Sequence, residues 1–320
     1  MPFISSVRGS FGPQGRFGRR LGLSFSTGGT ITTVGGYRIH SFTTPGTFSF
    51  VASGSGQIDY LVVAGGGGAH GRHSGGGGAG QVTYNSGYTV SAQSYTVTVG
   101  NGGLGVYGSF AGNNGEDSFF IETAKGGGTS GGHNQINGAS GGSGGGGGYP
   151  STPGGSSNKT SSTVGATTYG NNGGGGITWG GGGGGAGAVG SSTVNAAHGG
   201  IGIQNSINGT NLYWGGGGGG STWDSGSAGN GGLGGGGGGG AAGSSQSAGS
   251  GGGSALNSGE NGGNTNSYTG PGTSKGGDAG ANTGGGGGGC GQSEHASYTN
   301  QSINRGGHGG SGIVIIRYPI

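Results

Sequence analysis

Apolar residues recur in short strand-like segments at the two ends of this chain and almost vanish between them. Residues 37–42 hold Tyr37, Ile39 and Phe42, and after the Pro45-Gly46 turn residues 47–51 hold Phe48, Phe50 and Val51. Both read as strands bounded by turn residues. Residues 58–63 are nearly continuous and apolar, the pattern of a central strand. Residues 81–84 form another short segment. Residues 95–99 alternate, with Tyr95, Val97 and Val99 on one face and Thr96 and Thr98 on the other. Residues 118–121 add a further strand. Residues 313–319, with Ile313, Val314, Ile315 and Ile316 in succession, make the most apolar segment of all. Short strands with Gly/Pro turns predict an antiparallel β-sandwich or jelly roll with essentially no α-helix. A strand as apolar as the last one needs a sheet to join, and residues 31–125 supply it.

The intervening stretch, residues 126–311, is dominated by glycine, which fills 105 of the 320 positions. The glycines come in pure runs, among them 144–148, 173–176, 180–185, 215–220, 234–240 and 284–289. Glycine loses more backbone entropy on ordering than any other residue. A region of this kind either stays unfolded or adopts a structure that only glycine can build. The polyproline-II conformation is such a structure, with three residues per turn and a rise of about 3.1 Å. Helices of pure glycine pack side by side, because no Cβ holds their backbones apart. Each N–H and C=O then reaches a neighbour, as buried backbone groups must. The predicted architecture is therefore a β-sandwich with an inserted polyglycine-II bundle. It divides into an extended arm (1–30), the sandwich (31–125), the bundle (126–311) and a returning strand (312–320). Non-glycine residues within a run are expected to face outward or to sit at the bundle edge.

Charge changes the picture little. Charged residues are 6% of the chain and the formal net charge is +3. Phosphate-backbone binding needs a denser array of cations, so no nucleic-acid partner is expected. No apolar stretch of about 18 residues suggests a membrane span. The arm carries Arg8, Phe11, Arg16, Phe17, Arg19 and Arg20, and Arg and aromatic residues are typical interface anchors. It reads as a docking segment for another protein, with a frayed terminus as the plainer alternative.

Motifs for catalysis are missing. GxGxxG matches are frequent by chance at one-third glycine, and no helix follows any of them. Cys290 is the only cysteine, which reads as a small residue in a tight place. His70 and His73 are three apart without a nearby carboxylate or thiol, and read as exposed and unliganded. Glu116 and Asp117 read as part of a polar turn. No enzyme activity, cofactor or metal is expected. Aromatic residues do cluster beside the glycine runs. Tyr149, Tyr169, Trp179, Tyr213, Trp223 and Tyr268 are candidates for contact with a receptor, where rings stack on sugars or fill pockets. The alternative is that such rings plug the bundle ends, which the direct junction Trp214-Gly215 favours for Trp214.

Four segments together carry a resemblance. Residues 60–68 (YLVVAGGGG), 77–82 (GGAGQV), 94–100 (SYTVTVG) and 310–318 (GSGIVIIRY) resemble the glycine-rich domain of bacteriophage tail-fibre and virion structural proteins, notably of cyanophages. The resemblance spans residues 37–320. It implies a sandwich from which a polyglycine-II bundle projects. Some tail-fibre adhesins are similar in this bundle, and their distal loops touch the host receptor. On that basis the expected role is a virion structural protein, either a tail-fibre or a surface adhesin, exposed on the particle. Its expected partners are other virion proteins, through the arm, and a bacterial surface glycan or outer-membrane protein. A homo-oligomer is the expected assembly. The alternative is a purely structural filament, capsid or neck subunit. The Arg/Phe arm in place of a long fibre-attachment domain leaves its position on the particle open.

Overall fold

The computed structural model describes residues 22–108, 110–161, 163–243, 245–265, 274–292 and 304–320. A single 3-10 turn, Leu23–Phe25, is the only helical element among them. The strands in chain order are β1 (Thr30–Val34), β2 (Tyr37–Phe42), β3 (Gly46–Val51), β4 (Gly56–Val63), β5 (Val82–Val90), β6 (Ser94–Val99), β7 (Ser118–Phe120) and β8 (Glu122–Ala124). They continue with β9 (Ala166–Tyr169), β10 (Ile203–Asn205), β11 (Leu212–Trp214), β12 (Thr222–Trp223), β13 (Ala241–Ala242), β14 (Asn264–Thr265) and β15 (Ile313–Pro319).

Two antiparallel sheets form the base. One has the order β1-β2-β15-β4-β5-β9 and the other β3-β6-β7-β8. Their facing sides share a core of Phe42, Tyr60, Val62, Val314 and Ile316 from the first sheet and Phe50, Val97, Val99 and Phe120 from the second. The opposite face of the first sheet is also covered. Leu61, Val63, Ile313 and Ile315 pack there with Ile207 and Trp214 from the β10–β11 hairpin. This explains the unbroken apolar runs of β4 and β15, whose alternate residues enter two different cores. β15 lies between β2 and β4, so the last strand of the chain sits in the middle of the sheet.

The glycine segments leave this base as threads. Residues 75–80 show their geometry. Gly75 and Gly78 donate to Gly131 and Gly128, Gly76 and Ala79 to Gly181 and Gly184, and Gly77 and Gly80 to Gly287 and Gly284. The partner thread repeats every third residue, the signature of a three-residue turn. The carbonyls of Gly76, Gly77, Gly78 and Ala79 accept from Gly146, Gly218, Gly67 and Ser143, in three further threads. This thread is thus surrounded by six others and bonded to all of them. The spacing tolerates no side chain at most positions: a methyl added to Gly76, Gly77 or Gly217 would land on the carbonyl oxygen of Gly218, Gly67 or Gly183 respectively.

Three details differ from the sequence-based expectation. Threads already run through residues 64–69, 74–80 and 101–106, well before residue 126. A strand passes into a thread without a turn once its side chains stop, so composition shows no boundary there. Ala64, Ala69 and Ala79 belong to threads and are fully buried rather than outward-facing; each sits at, or one residue from, the end of its own thread. Short strands β9 to β14 also appear within the glycine zone, where a few β-branched or aromatic residues find a partner; β9 pairs with β5 as an edge strand.

Candidate functional site

The hydrogen-bond register gives each thread a direction. β4 leads outward into residues 64–69, and residues 74–80 return to β5, so the turn at 70–73 lies at the end of the bundle away from the sandwich. Residues 126–131 and 143–148 are antiparallel to 75–80 and run outward, ending at His133 and Tyr149. Residues 180–185 are parallel to 75–80 and return from Trp179; residues 215–220 run outward again to Trp223. These turns all meet at the far tip.

Backbone bonds tie adjacent tips together. The His133 amide donates to the Arg72 carbonyl at 3.1 Å, and the Tyr149 amide to the His73 carbonyl at 3.1 Å. His73, Asn134, Gln135, Ser151 and Asp224 all have positive φ, between 40° and 67°. Such conformations are costly for residues other than glycine and persist where surrounding structure enforces them.

The result is an aromatic cluster. The His73 ring lies 4.9 Å from Trp223, 5.4 Å from His133 and 5.6 Å from Tyr149, centroid to centroid. Tyr149 stacks on Trp179 at 5.2 Å, and Trp179 meets Trp223 edge-on at 5.6 Å. The Trp179 indole donates to Ser225 Oγ at 3.2 Å. His73 and Trp179 form the buried floor, while His133, Tyr149 and Trp223 are half-exposed above it. A second aromatic pair, Tyr107 and Phe110, lies at the same end, with Phe110 63% exposed.

Burial holds His73 down to about 3, helped by the charges of Arg72 and His133. Burial likewise lowers His70 to about 4. Both rings are therefore neutral at neutral pH. This corrects the expectation that they are exposed: each is only 2% accessible. Glycine neighbours leave no bulk of their own at a tip, so the histidine rings fill it. Among the described residues no group of three or more His, Cys, Asp or Glu is arranged to hold a metal ion, and the Arg72 cation beside His73 disfavours a metal ion there. Cys290 is fully buried and its thiol is pushed up to about 12 by burial. Glu116 accepts from the amide and side chain of Asn101, and Asp117 from Lys125 and Gly126, so both serve as thread caps.

The structure sorts the sequence-derived candidates by end. Tyr149, Trp179 and Trp223 converge at the tip. Tyr169 on β9 and Tyr213 on β11 lie at the base, where Trp214 is fully buried in the second core with its indole donating to the Asn205 carbonyl at 3.2 Å. Tyr268 and the arm residues Arg8, Phe11, Arg16, Phe17, Arg19 and Arg20 lie outside the described residues. Sequence reasoning missed the contributions of His73, His133, Tyr107 and Phe110. The signal that finds them is parity: a residue that follows an outward run lies at the tip, one that precedes it lies at the base.

No helix among the described residues is long and apolar enough to cross a membrane. Residues 43–272 match a family model described as a glycine-rich domain. No curated protein matches the chain.

Proposed function

The chain belongs to the glycine-rich domain family, and from that premise we propose that it is a virion attachment protein, a tail-fibre or surface adhesin of a bacteriophage. In this reading the sandwich is the base, the arm docks on other virion proteins, and the tip meets a bacterial surface glycan or outer-membrane protein. The observation that supports it most is the placement of the aromatic residues. At the base Trp214 is used up in a core, and Tyr169 and Tyr213, though half-exposed, lie apart from the ring cluster, whereas His133, Tyr149 and Trp223 are half-exposed and packed together at the tip. Rings held in fixed positions suit stacking on sugars and filling receptor pockets at low entropic cost. The phage setting rests on the resemblance of residues 60–68, 77–82, 94–100 and 310–318 to virion proteins.

Trp223→Ala and Tyr149→Ala test this in particles carrying the chain. Expected is a loss of host adsorption of about tenfold or more, with particles intact by electron microscopy and the melting temperature nearly unchanged. Normal adsorption by both variants would overturn the receptor role and leave the structural-subunit reading.

A further inference from the structure

β1 differs from every other strand of the sandwich. Its residues Thr30, Ile31, Thr32, Thr33 and Val34 are all β-branched and all exposed. It ends the six-stranded sheet and pairs on one side only, with β2. Natural edge strands are usually blunted by lysine, proline, a bulge or a covering element. β1 has no charge and no proline, and its register against β2 is unbroken.

The free bonding groups of this edge can be assigned. Gly35 and Gly36, at φ 57° and 80°, form a two-residue turn between Val34 and Tyr37. Positive φ at both positions is the type I′ hairpin turn. Its flanking pair, Val34 with Tyr37, exchanges backbone bonds, and so by alternation do Thr32 with Ile39 and Thr30 with Ser41. The N–H and C=O groups of Ile31 and Thr33 therefore point away from β2. No described strand or loop pairs with them.

We infer that β1 pairs with β1 of a second copy of this chain, antiparallel and about a two-fold axis, joining two six-stranded sheets into one. Ile31 of each copy exchanges both backbone bonds with Thr33 of the other. Thr32 faces Thr32 across the axis as a pair without backbone bonds. The segment is its own complement, as an isologous interface requires. The outward-bonding residues are symmetric about Thr32, and no charge is brought opposite another. Apolar side chains rim the edge: Ile31, Val34 and Ile320 are 40%, 43% and 62% exposed, and the Ile320 amide bonds to Gly36 at the turn. β1 precedes residue 43, so the contact lies outside the segment that defines the family.

Sedimentation of the full-length chain tests the inference, with a dimer as the expected result. Thr32→Lys sets two ammonium groups face to face and is expected to weaken the dimer by about five- to tenfold. Thr32→Cys places two thiols at a cross-strand Cβ separation of roughly 5 Å, so mild oxidation is expected to give a covalent dimer. Thr30→Cys, opposite Val34 of the other copy, is expected to remain uncrosslinked, and the buried Cys290 stays silent. A monomeric wild-type chain, a dimer indifferent to Thr32→Lys, or equal cross-linking from positions 30 and 32 would each overturn the inference.

Discussion

In the sandwich, Val62 and Ile316 are held by the side chains that surround them. In the bundle, Gly77 and Gly217 sit where neighbouring carbonyls leave no room for a side chain at all. The first region draws on burial of apolar surface, worth roughly 25 cal/mol per Å². The second draws on backbone hydrogen bonds, each modest in net terms at about 1 kcal/mol but costly when left unmade in a buried site. Rigidity thus does not require large side chains. It requires that every buried N–H and C=O has a partner, and a hexagonal arrangement of glycine threads meets that requirement.

The contrast is open to attack at several points. The largest effect is expected from Gly217→Val, whose side chain would collide with the Gly183 carbonyl. Neighbouring threads bonded on several sides cannot withdraw singly, so we expect a loss of about 4 kcal/mol or more in urea unfolding. A small effect would mean that the lattice is soft. Val62→Ala or Ile316→Ala in the sandwich should cost about 2–4 kcal/mol by the same measurement, the usual penalty of a core cavity. If the two regions unfold separately, calorimetry will show two transitions, with the Gly217 variant moving one and the Val62 variant the other.

Acid provides a third probe: His70 and His73 are buried at the bundle tip, while His40, buried on β2 and likewise lowered by burial, adds a term from the sandwich. His70 and His73 titrate near 4 and 3 when folded, below their ordinary 6.5. The unfolded chain therefore binds protons first, and stability should fall as pH drops from 6.5 towards 4. The loss is expected on the order of 3 kcal/mol per histidine by pH 4, and His73→Gln should flatten the profile. Asp278 behaves differently. Burial alone would raise it, but the bidentate Arg305 guanidinium and the His308 amide outweigh that and bring it to about 2. Its contribution is complete above its ordinary 3.8 and is lost only as pH falls through about 2. The smallest effect is expected at Ser247, exposed in a tip turn. Ser247→Val should stay within about 0.5 kcal/mol of wild type.

The strands of the sandwich could be read from side-chain patterns because their chemistry alternates. Residues 58–63 and 313–319 announced buried strands on both faces. β1 was harder to read, since Thr30–Val34 has no apolar alternation to mark a buried face. The threads were legible as a material but not as an arrangement. Nothing along 75–80 says which neighbours surround it, because those partners are chosen through backbone groups that every glycine shares. For the same reason Tyr149, Trp179 and Trp223 stood out as aromatics, yet their meeting with His73 did not. That meeting depends on counting outward and returning threads from β4, which only the register supplies.

The three-residue repeat of the threads has a consequence for how such a molecule can change. Adding or removing three glycines within a run advances the chain by one full turn, about 9 Å, and leaves each amide aimed at the same neighbour. Adding one or two rotates every later amide onto the wrong neighbour. Reach can therefore be lengthened or shortened in whole turns, in matched pairs of outward and returning runs, while the loops they carry keep their orientation.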